Sequence, residues 1–480
     1  MTDASRYQSP LSSRYASPAM LELWGERYKV GLWRRIWLAL MESERDLGLA
    51  IPQQATDELR GHLDDCDLAV AAQYERRFRH DVMAHVHALG DQAPAARPFL
   101  HLGATSAFIT DNADLLVMRD GMRMLLGRLV ALLQSLRHFA GRYADLPCLA
   151  YTHFQPAQLT TVGKRATLWA QDFALDVEEL IHRLESLRAR GCKGTTGTQA
   201  SFLELFHGDH GKVRTLEAEV THRLGFGEAM PVTGQTYSRK VDSQIVDCLS
   251  GIAQSASKMA ADLRLLQHEG ELLEPFESEQ IGSSAMAYKR NPMRAERIGA
   301  LGRFVIALSA NPANTAATQW LERSLDDSAN RRLVLPEAFL ATDAILILAT
   351  NIVAGLEVRA AVIGRHVADQ MPFMATERWM MIGVAAGGDR QALHEVVRQA
   401  SHAVAKDVSE GAPNDLLDRL AGAPEFSGVA VEKLRAELAP ARYVGRAPEQ
   451  TREFIAEFLN PLIERASGLA KTASQAEVRV

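Results

Sequence analysis

Apolar residues spaced alternately three and four positions apart run through the chain between about residues 112 and 140. This spacing places them on one face of an α-helix about seven turns long. Two more such stripes follow, near 162–187 and 241–266, and further apolar helical segments lie near 293–310 and 337–357. Helices this long are stable only when their apolar faces are covered, so the pattern predicts an antiparallel bundle of five helices. It also predicts that part of each stripe packs against another subunit, as in a homo-oligomer.

The chain on both sides of this bundle has shorter helical patterns, and strand-like alternation is rare throughout. Asp111 is expected to cap the first bundle helix, and Pro147 lies beyond its end. With 480 residues, enough for about three domains, the chain is predicted to be an all-α protein of three domains around a long five-helix central bundle. The predicted domains are residues 1–105, 106–358 and 359–480. Expected breaks fall at Pro10, Pro18, Pro52 and Pro98 before the bundle, and at Pro372, Pro413, Pro424, Pro440 and Pro448 after it.

The composition excludes several classes of protein. The net charge of -6 argues against a general nucleic-acid or membrane-surface binder. No basic, apolar leader is visible at the start, and no apolar run is expected to reach membrane-spanning length. The four cysteines are scattered without a CxxC pair, which argues for a reducing compartment and against a zinc site. We therefore expect a cytoplasmic protein that binds neither nucleic acid nor membrane.

A polar loop, Gly282–Pro292, lies between two of the helical patterns and contains Gly, two Ser, Lys, Asn and Pro. Loops carried on a rigid scaffold are frequent places for function. The two hydroxyls, the lysine and the amide offer a proton-transfer group and donors for a developing negative charge. The alternative interpretation is a flexible surface linker.

Five other polar clusters lie at breaks in the helical scaffold. His153, in a predicted short polar loop between two bundle helices, fits a catalytic acid because histidine titrates near neutral pH, although a solvent-exposed histidine is the simpler interpretation. The three arginines of 323–332 fit a phosphate or carboxylate clamp or, alternatively, a solvated charge run. The histidines of 79–87 lack further ligands for a metal, and no metal is predicted. The clusters are 79–87, 101–106, 151–156, 233–240 and 323–332.

Taken together, these clusters resemble the fumarase/aspartase superfamily of lyases and, within it, the adenylosuccinate lyases of the kind found in animals. The resemblance extends from about residue 13 to about residue 460. The matching blocks are SRYASPAM, RHDVMAHVH, HLGATS, THFQPAQLTTVGKR, KGTTGTQASF, TGQTYSRKVD, IGSSAMAYKRNPMRAER, LDDSANRR and PFMATE.

The resemblance implies an activity and an assembly. The activity is β-elimination of fumarate from adenylosuccinate, giving AMP, and from succinylated aminoimidazole carboxamide ribotide in purine biosynthesis. The assembly is a homotetramer in which each active site is built from three subunits. The partner is thus a small-molecule nucleotide, and no cofactor is expected.

The resemblance also assigns roles by position. Ser283 would take the proton from Cβ of the succinyl group, and His153, oriented by Glu296, would protonate the leaving nitrogen. Lys289 and Asn291 would hold the succinyl carboxylates. Thr105, Ser106 and Gln235 match substrate-binding positions. The positions matched around the nucleotide and its phosphate are Arg14, Tyr15, Arg79, His80, Asp81, Arg297, Arg323, Ser328 and Arg332.

The loop departs from the family pattern at one position. Ala287 stands where the family usually has proline, which would fix φ there and restrict Met286. Alanine should therefore increase the entropy cost of closing the loop, by roughly 0.4–1 kcal/mol. We expect modestly reduced activity and an unchanged reaction.

Three alternatives to this reading remain open. A di-iron carboxylate protein is suggested by two Glu-x-x-His pairs, Glu179 with His182 and Glu219 with His222. Against it, the helical stripe of 112–140 contains no glutamate. An inert helical scaffold is the second alternative, which the retained Ser283 and His153 disfavour. The third is another fumarate-releasing lyase of the superfamily, such as argininosuccinate lyase.

Overall fold

The computed structural model describes residues 5–470, which are predominantly helical. Before the bundle, short helices are started by capping residues: the Ser17 hydroxyl accepts from the Met20 amide at 3.3 Å, and Asp67 caps the fourth helix. The helices are α1 (Pro18–Leu23), α2 (Glu26–Asp46), α3 (Gln53–Gly61), α4 (Leu68–Phe78) and α5 (Asp81–Gln92), with a π-helical turn at Leu11–Tyr15 and a 3-10 turn at Arg97–Phe99.

The five predicted bundle helices are present, so the predicted all-α fold is confirmed. The last of them begins at Asp327 rather than near residue 337, because the charged residues that precede its apolar stripe are themselves helical. Two short helices interrupt the series. The elements are α6 (Ser106–Arg142), α7 (Val162–Ser186), α8 (Ala200–Leu205), α9 (His210–Arg223), α10 (Lys240–His268), α11 (Met293–Thr318) and α12 (Asp327–Ala354).

Successive long helices alternate in direction, and this gives the bundle two distinct ends. Ion pairs join Arg331 to Asp114 and Arg128 to Asp343, so α6 and α12 run the same way. An ion pair from Arg331 to Asp242 places the start of α10 at the same end. We call this end, where α6, α10 and α12 begin, the head. The opposite end, where α7 and α11 begin, is the tail. The 28 residues of α12 span about 40 Å, which is the separation of head and tail.

A β-hairpin follows α6 at the tail, formed by β1 (Pro147–Thr152) and β2 (Gln155–Thr161). The expectation of a loop at residues 151–156 was therefore wrong. His153 and Phe154 connect the strands with φ values of 53° and 58°, and two residues of positive φ form the turn whose twist matches a hairpin. A second, two-residue pairing joins β3 (Leu272–Leu273) to β4 (Glu357–Val358).

The helices after the bundle are α13 (Ala360–Ala385), α14 (Arg390–Ser409), α15 (Leu416–Ala421), α16 (Val431–Arg435), α17 (Ala447–Glu453) and α18 (Asn460–Leu469). The expected break at Pro372 is wrong, because α13 continues through it. The Asn414 side chain donates to the Asp369 carbonyl in the turn before this proline, at 2.9 Å. Trp379, Leu393 and Phe426 belong to a small apolar core of this region, separate from the main core. The division at residues 105 and 358 stays a prediction.

Helix α12 is largely buried within the main core. One 18-residue window in it has a mean hydropathy of 1.8, and by length and composition alone it could cross a membrane. The expectation that no apolar run reaches this length was therefore wrong. The reason is burial: 78% of that window lies inside the protein, where neighbouring helices cover it. Helix α6 approaches it closely at Gly121, where a Cβ would lie 2.7 Å from Phe339.

Candidate functional site

A pocket of about 520 Å³ opens at the head of the bundle. It lies where α5, α6 and α12 begin, beside the segment that precedes α10. Helix N-termini present unpaired N–H groups and the positive end of the helix dipole, so this pocket suits an anionic ligand. Eight of the residues that the sequence assigns to the substrate line it: Arg79, His80, Asp81, Ser106, Gln235, Arg323, Ser328 and Arg332.

The turn between α4 and α5 brings the first of these residues to the pocket. Arg79 takes a left-handed conformation, with φ of 57°, and reverses the chain after α4. His80 then caps α5 by accepting from the Met83 amide at 3.3 Å, and its other ring nitrogen lies 3.3 Å from the Ser106 hydroxyl. Asp81 pairs with Arg332 at 2.9 Å. Neighbouring elements therefore orient each polar group of this wall.

Two loops packed back to back form the opposite wall. The Gln235 amide donates to the Glu322 carbonyl at 2.9 Å. At Gly234 a Cβ would lie 2.6 Å from the same carbonyl oxygen, so only glycine permits this approach. The contact fixes Gln235 next to Arg323, although the two are far apart in sequence. Thr105 directly precedes α6 at this end but does not line the pocket, and its hydroxyl makes no capping bond.

Part of the pocket lining is a group of buried charges that the sequence did not predict. Arg239 is 3% exposed and binds both carboxylate oxygens of Asp111, at 3.2 and 3.1 Å. Its Nε donates to Asp327 at 2.7 Å. The prediction that Asp111 caps α6 was wrong, because the helix begins five residues earlier and its buried face needs an acid for Arg239. The sequence signal that could have revealed this buried pair is the acidic residue at position 111, which lies among apolar positions of the helix.

A second arginine, with its side chain 10% exposed, joins the same helices. Arg331 donates to Asp242 at 2.7 Å, to Asp114 at 2.9 Å and to the Tyr237 hydroxyl at 2.6 Å. Burial raises the pKa of Tyr237 well above its usual value, so the phenol stays neutral. All three arginines of the 323–332 cluster line the pocket, but every nitrogen of the Arg331 guanidinium is already bonded within the framework.

His153 lies at the tail, at the tip of the hairpin, and is exposed. Within residues 5–470 its imidazole makes no hydrogen bond or ion pair, so the ring is available to a ligand or partner. Glu271, which is 0% exposed, contacts the hairpin from the protein interior. Glu271 accepts from the Tyr151 hydroxyl at 3.5 Å and lies 3.0 Å from His366 on α13. Burial, and then the nearby Glu271 charge, raises the pKa of Tyr151 to about 12.

The loop Gly282–Pro292 also lies at the tail, where it leads into α11. The Ser283 hydroxyl accepts from the amides of Ala285, at 3.4 Å, and Met286, at 3.1 Å. The Asn291 side chain closes the base of the loop by donating to the Gly282 carbonyl at 2.7 Å. Lys289 is exposed. Ser283 therefore faces backbone donors that favour a negatively charged oxygen.

The remaining assigned residues also lie away from the head pocket. Glu296 is exposed on the first turn of α11, and among the described residues its carboxylate contacts no hydrogen-bonding partner, His153 included. Arg297 stacks over the Tyr15 ring at 5.5 Å, and Arg14 is exposed beside it. One chain therefore brings eight assigned residues together at its head and keeps Ser283, His153 and Glu296 at its tail.

No group of three or more His, Cys, Asp or Glu side chains within residues 5–470 is arranged to hold a metal ion. The di-iron alternative requires inward-facing ligands. Glu179 and His182 are exposed on α7, and Glu179 pairs with Arg183 at 2.6 Å. His222 is likewise exposed. These exposed side chains do not form the inward-facing ligand set that a di-iron site requires.

Comparison with known proteins gives consistent relatives over nearly the whole chain. A family model described as Lyase matches residues 44–306, and one described as Adenylosuccinate lyase C-terminus matches residues 372–454. The adenylosuccinate lyase of Saccharomyces cerevisiae is 48% identical over 468 residues, covering 97% of both chains. That of Schistosoma mansoni is 44% identical over 467 residues, covering 96% of this chain and 97% of the relative.

Solved structures share the fold at lower identity. A fumarate lyase from Mesorhizobium sp. BNC1 superposes with a TM-score of 0.78 at 22% identity, covering 94% of this chain and 99% of that one. A 3-carboxy-cis,cis-muconate lactonizing enzyme from Pseudomonas putida gives 0.80 at 23% identity, covering 96% and 100%. At this identity, the likeness establishes the architecture alone.

Proposed function

The chain belongs to the adenylosuccinate lyase family, and from this membership we propose that it cleaves adenylosuccinate to AMP and fumarate by β-elimination. It is a fumarate-releasing carbon–nitrogen lyase. The observation that carries the substrate assignment is the head pocket, where Arg79, Arg323 and Arg332 meet the N-termini of three helices. A dianionic phosphate needs such a local concentration of donors in a chain whose net charge is -6.

We assign the proton transfers to the tail residues. Ser283 takes the proton from Cβ of the succinyl group, the C–N bond breaks, and His153 protonates the departing nitrogen. Serine is a weak base, so it needs donors that stabilise its alkoxide. The amides of Ala285 and Met286 supply them, as the observed hydrogen bonds suggest. Lys289 and Asn291 are assigned to the succinyl carboxylates, and Glu296 to the orientation of His153.

We further propose a homotetramer whose active sites are shared between subunits. The head pocket and the Ser283 loop lie at opposite ends of a bundle about 40 Å long, so one chain cannot apply both to one substrate. Large apolar side chains also remain exposed on the bundle helices, among them Leu168 at 50%, Leu175 at 55% and Leu333 at 65%. Such surfaces usually mark contacts with another protein.

The shared site can be tested by mixing two inactive variants. Ser283→Ala and Arg323→Met should each abolish most activity. If each site takes these residues from different chains, randomly mixed tetramers should regain up to about a quarter of wild-type activity. If mixed oligomers form and no activity returns, the shared site is refuted.

Two further aspects complete the proposal. The same site is proposed to cleave succinylated aminoimidazole carboxamide ribotide, which presents the same succinyl and phosphate groups. No cofactor is proposed, because the assigned residues supply the acid, the base and the charge stabilisation. A reducing, cytoplasmic location is proposed because all four cysteines are free and buried.

The direct test is fumarate release by the purified protein, measured with adenylosuccinate and, in parallel, with argininosuccinate. We expect activity on the first and none on the second. Activity on argininosuccinate alone would favour the alternative within the superfamily and refute the proposed substrate. Ser283→Ala and His153→Ala should each lower kcat strongly, while unchanged kcat in either would remove that residue from its role.

A further inference from the structure

We propose that Arg239, together with Asp327, controls how much of the Arg323 guanidinium is available to the substrate. Arg239 borders the pocket but is only 3% exposed, so in this proposal it is a positioning residue that acts through Asp327 and Arg323. The inference rests on the proposed placement of Arg323 in the substrate pocket, and it adds the device that keeps Arg323 there.

The geometry centres on one carboxylate oxygen that two arginines share. Oδ2 of Asp327 accepts from Nε of Arg239 at 2.7 Å and from Nη1 of Arg323 at 3.2 Å. Asp327 is 1% exposed, and its other oxygen, Oδ1, is buried without a hydrogen-bond partner among residues 5–470. The Arg323 side chain is 24% exposed and lines the pocket. Asp327 therefore has capacity for a stronger bond to Arg323 than the one it makes.

Arg239 limits that bond. A buried carboxylate without a cation is costly, so Asp327 must be neutralised by whichever arginine lies nearest. Arg239 holds this position because Asp111 fixes the far side of its guanidinium in a two-bond contact. With Arg239 in place, Arg323 makes only the longer contact, and its other N–H groups, in a side chain that lines the pocket, have no hydrogen-bond partner within residues 5–470. Without it, Arg323 would turn fully onto Asp327 and leave the ligand.

Arg239→Lys is the informative perturbation. Lysine keeps the charge but lacks the fork that binds Asp111 and Asp327 at once. We expect KM to rise roughly tenfold while kcat changes by less than about threefold, because the lost interaction serves binding. Adding Asp327→Asn removes the charge that captures Arg323, so the double variant should return KM to within about threefold of wild type.

Arg331→Lys is the matched control. Arg331 lines the same pocket, with its side chain 10% exposed, and joins the same three helices, but it contacts Asp114, Asp242 and Tyr237 instead of Asp327. It should lower the melting temperature as Arg239→Lys does, without a comparable rise in KM. An equal rise in KM would mean that the cluster acts only as a framework, and would overturn the inference.

Three other results also decide the matter. If the double variant has a KM as high as Arg239→Lys alone, the capture of Arg323 by Asp327 is refuted. Should Arg239→Lys fail to fold, Asp327→Asn alone serves instead: KM should stay level or fall, and a tenfold rise would contradict the inference. Arg323→Met separates the two proposals, because an unchanged KM in that variant refutes the placement of Arg323 itself.

Discussion

Glu44 lies on α2 with its side chain 0% exposed. Neither of its carboxylate oxygens has a hydrogen-bond partner in the part of the chain that the structure describes. Burial raises the pKa of this carboxyl from 4.5 to about 9, so the group is protonated at neutral pH. We predict that Glu44→Gln, which keeps the shape and removes the ionisable proton, stabilises the protein.

The magnitude follows from the linkage between proton binding and folding. Because the folded-state pKa lies above the unfolded one, unfolding releases a proton, and stability falls as pH rises from 4.5 to about 9. At pH 7, about 2.5 units above the unfolded pKa, ionisation of this carboxyl stabilises the unfolded state by about 3 kcal/mol. Above pH 9 the full shift is worth about 6 kcal/mol. Glutamine avoids this loss, so its advantage should be near zero at pH 5 and should grow with pH.

The measurement is the urea midpoint of wild type and variant from pH 5 to pH 9, at one protein concentration because subunit association affects stability. Glu42→Gln is the matched control on the same helix: its carboxylate pairs with Arg60 and, at 2.6 Å, with Arg223. That variant should be less stable than wild type. A Glu44→Gln variant that is destabilised at pH 7, or whose advantage does not change with pH, would refute the reasoning.

Three other substitutions have defined outcomes. Ala287→Pro should raise kcat/KM by roughly two- to fivefold, because it lowers the entropy cost of loop closure. Proline can be accommodated because the Ala287 amide makes no hydrogen bond among the described residues. An unchanged kcat/KM would count against the loop argument. Gly234→Ala should raise KM roughly tenfold, because its Cβ would lie 2.6 Å from a carbonyl oxygen of the facing loop. Gly227→Ala is the control and should leave KM unchanged, because the space around its Cβ is open. Equal KM values for the two glycine variants would contradict the proposed close contact at Gly234. Glu271→Ala should lower kcat by roughly tenfold, because it loosens the hairpin that carries His153. Glu271→Gln should restore part of the lost kcat. A change in KM with unchanged kcat would exclude a role for Glu271 in positioning His153.

The long helices could be predicted because their signal is local. An apolar stripe repeats within one helix, so α6, α7 and α10 were recognisable without knowledge of any neighbour. The hairpin was missed for a related reason. Its turn depends on two non-glycine residues with positive φ, His153 and Phe154, which local propensity disfavours and the surrounding strands impose.

The sequence does not predict the structural role of a residue whose partner lies far along the chain. The local sequence predicts a helix cap at Asp111, but this residue is a buried partner of Arg239, 128 residues away. It also predicts a break at Pro372, but helix α13 continues through it. In both cases the deciding interaction is tertiary, and a local pattern carries no trace of it.

The sequence by itself determined the helical class, the five-helix bundle and the family, because periodicity and motif blocks are written in consecutive residues. Only the tertiary structure decided that Arg79, Gln235 and Arg323 share one pocket while Ser283 and His153 lie at the opposite end. The physical reason is the alternating direction of rigid helices that are about 40 Å long or longer. Residues near opposite ends of one helix cannot meet within a chain, whatever chemistry they are suited to perform together.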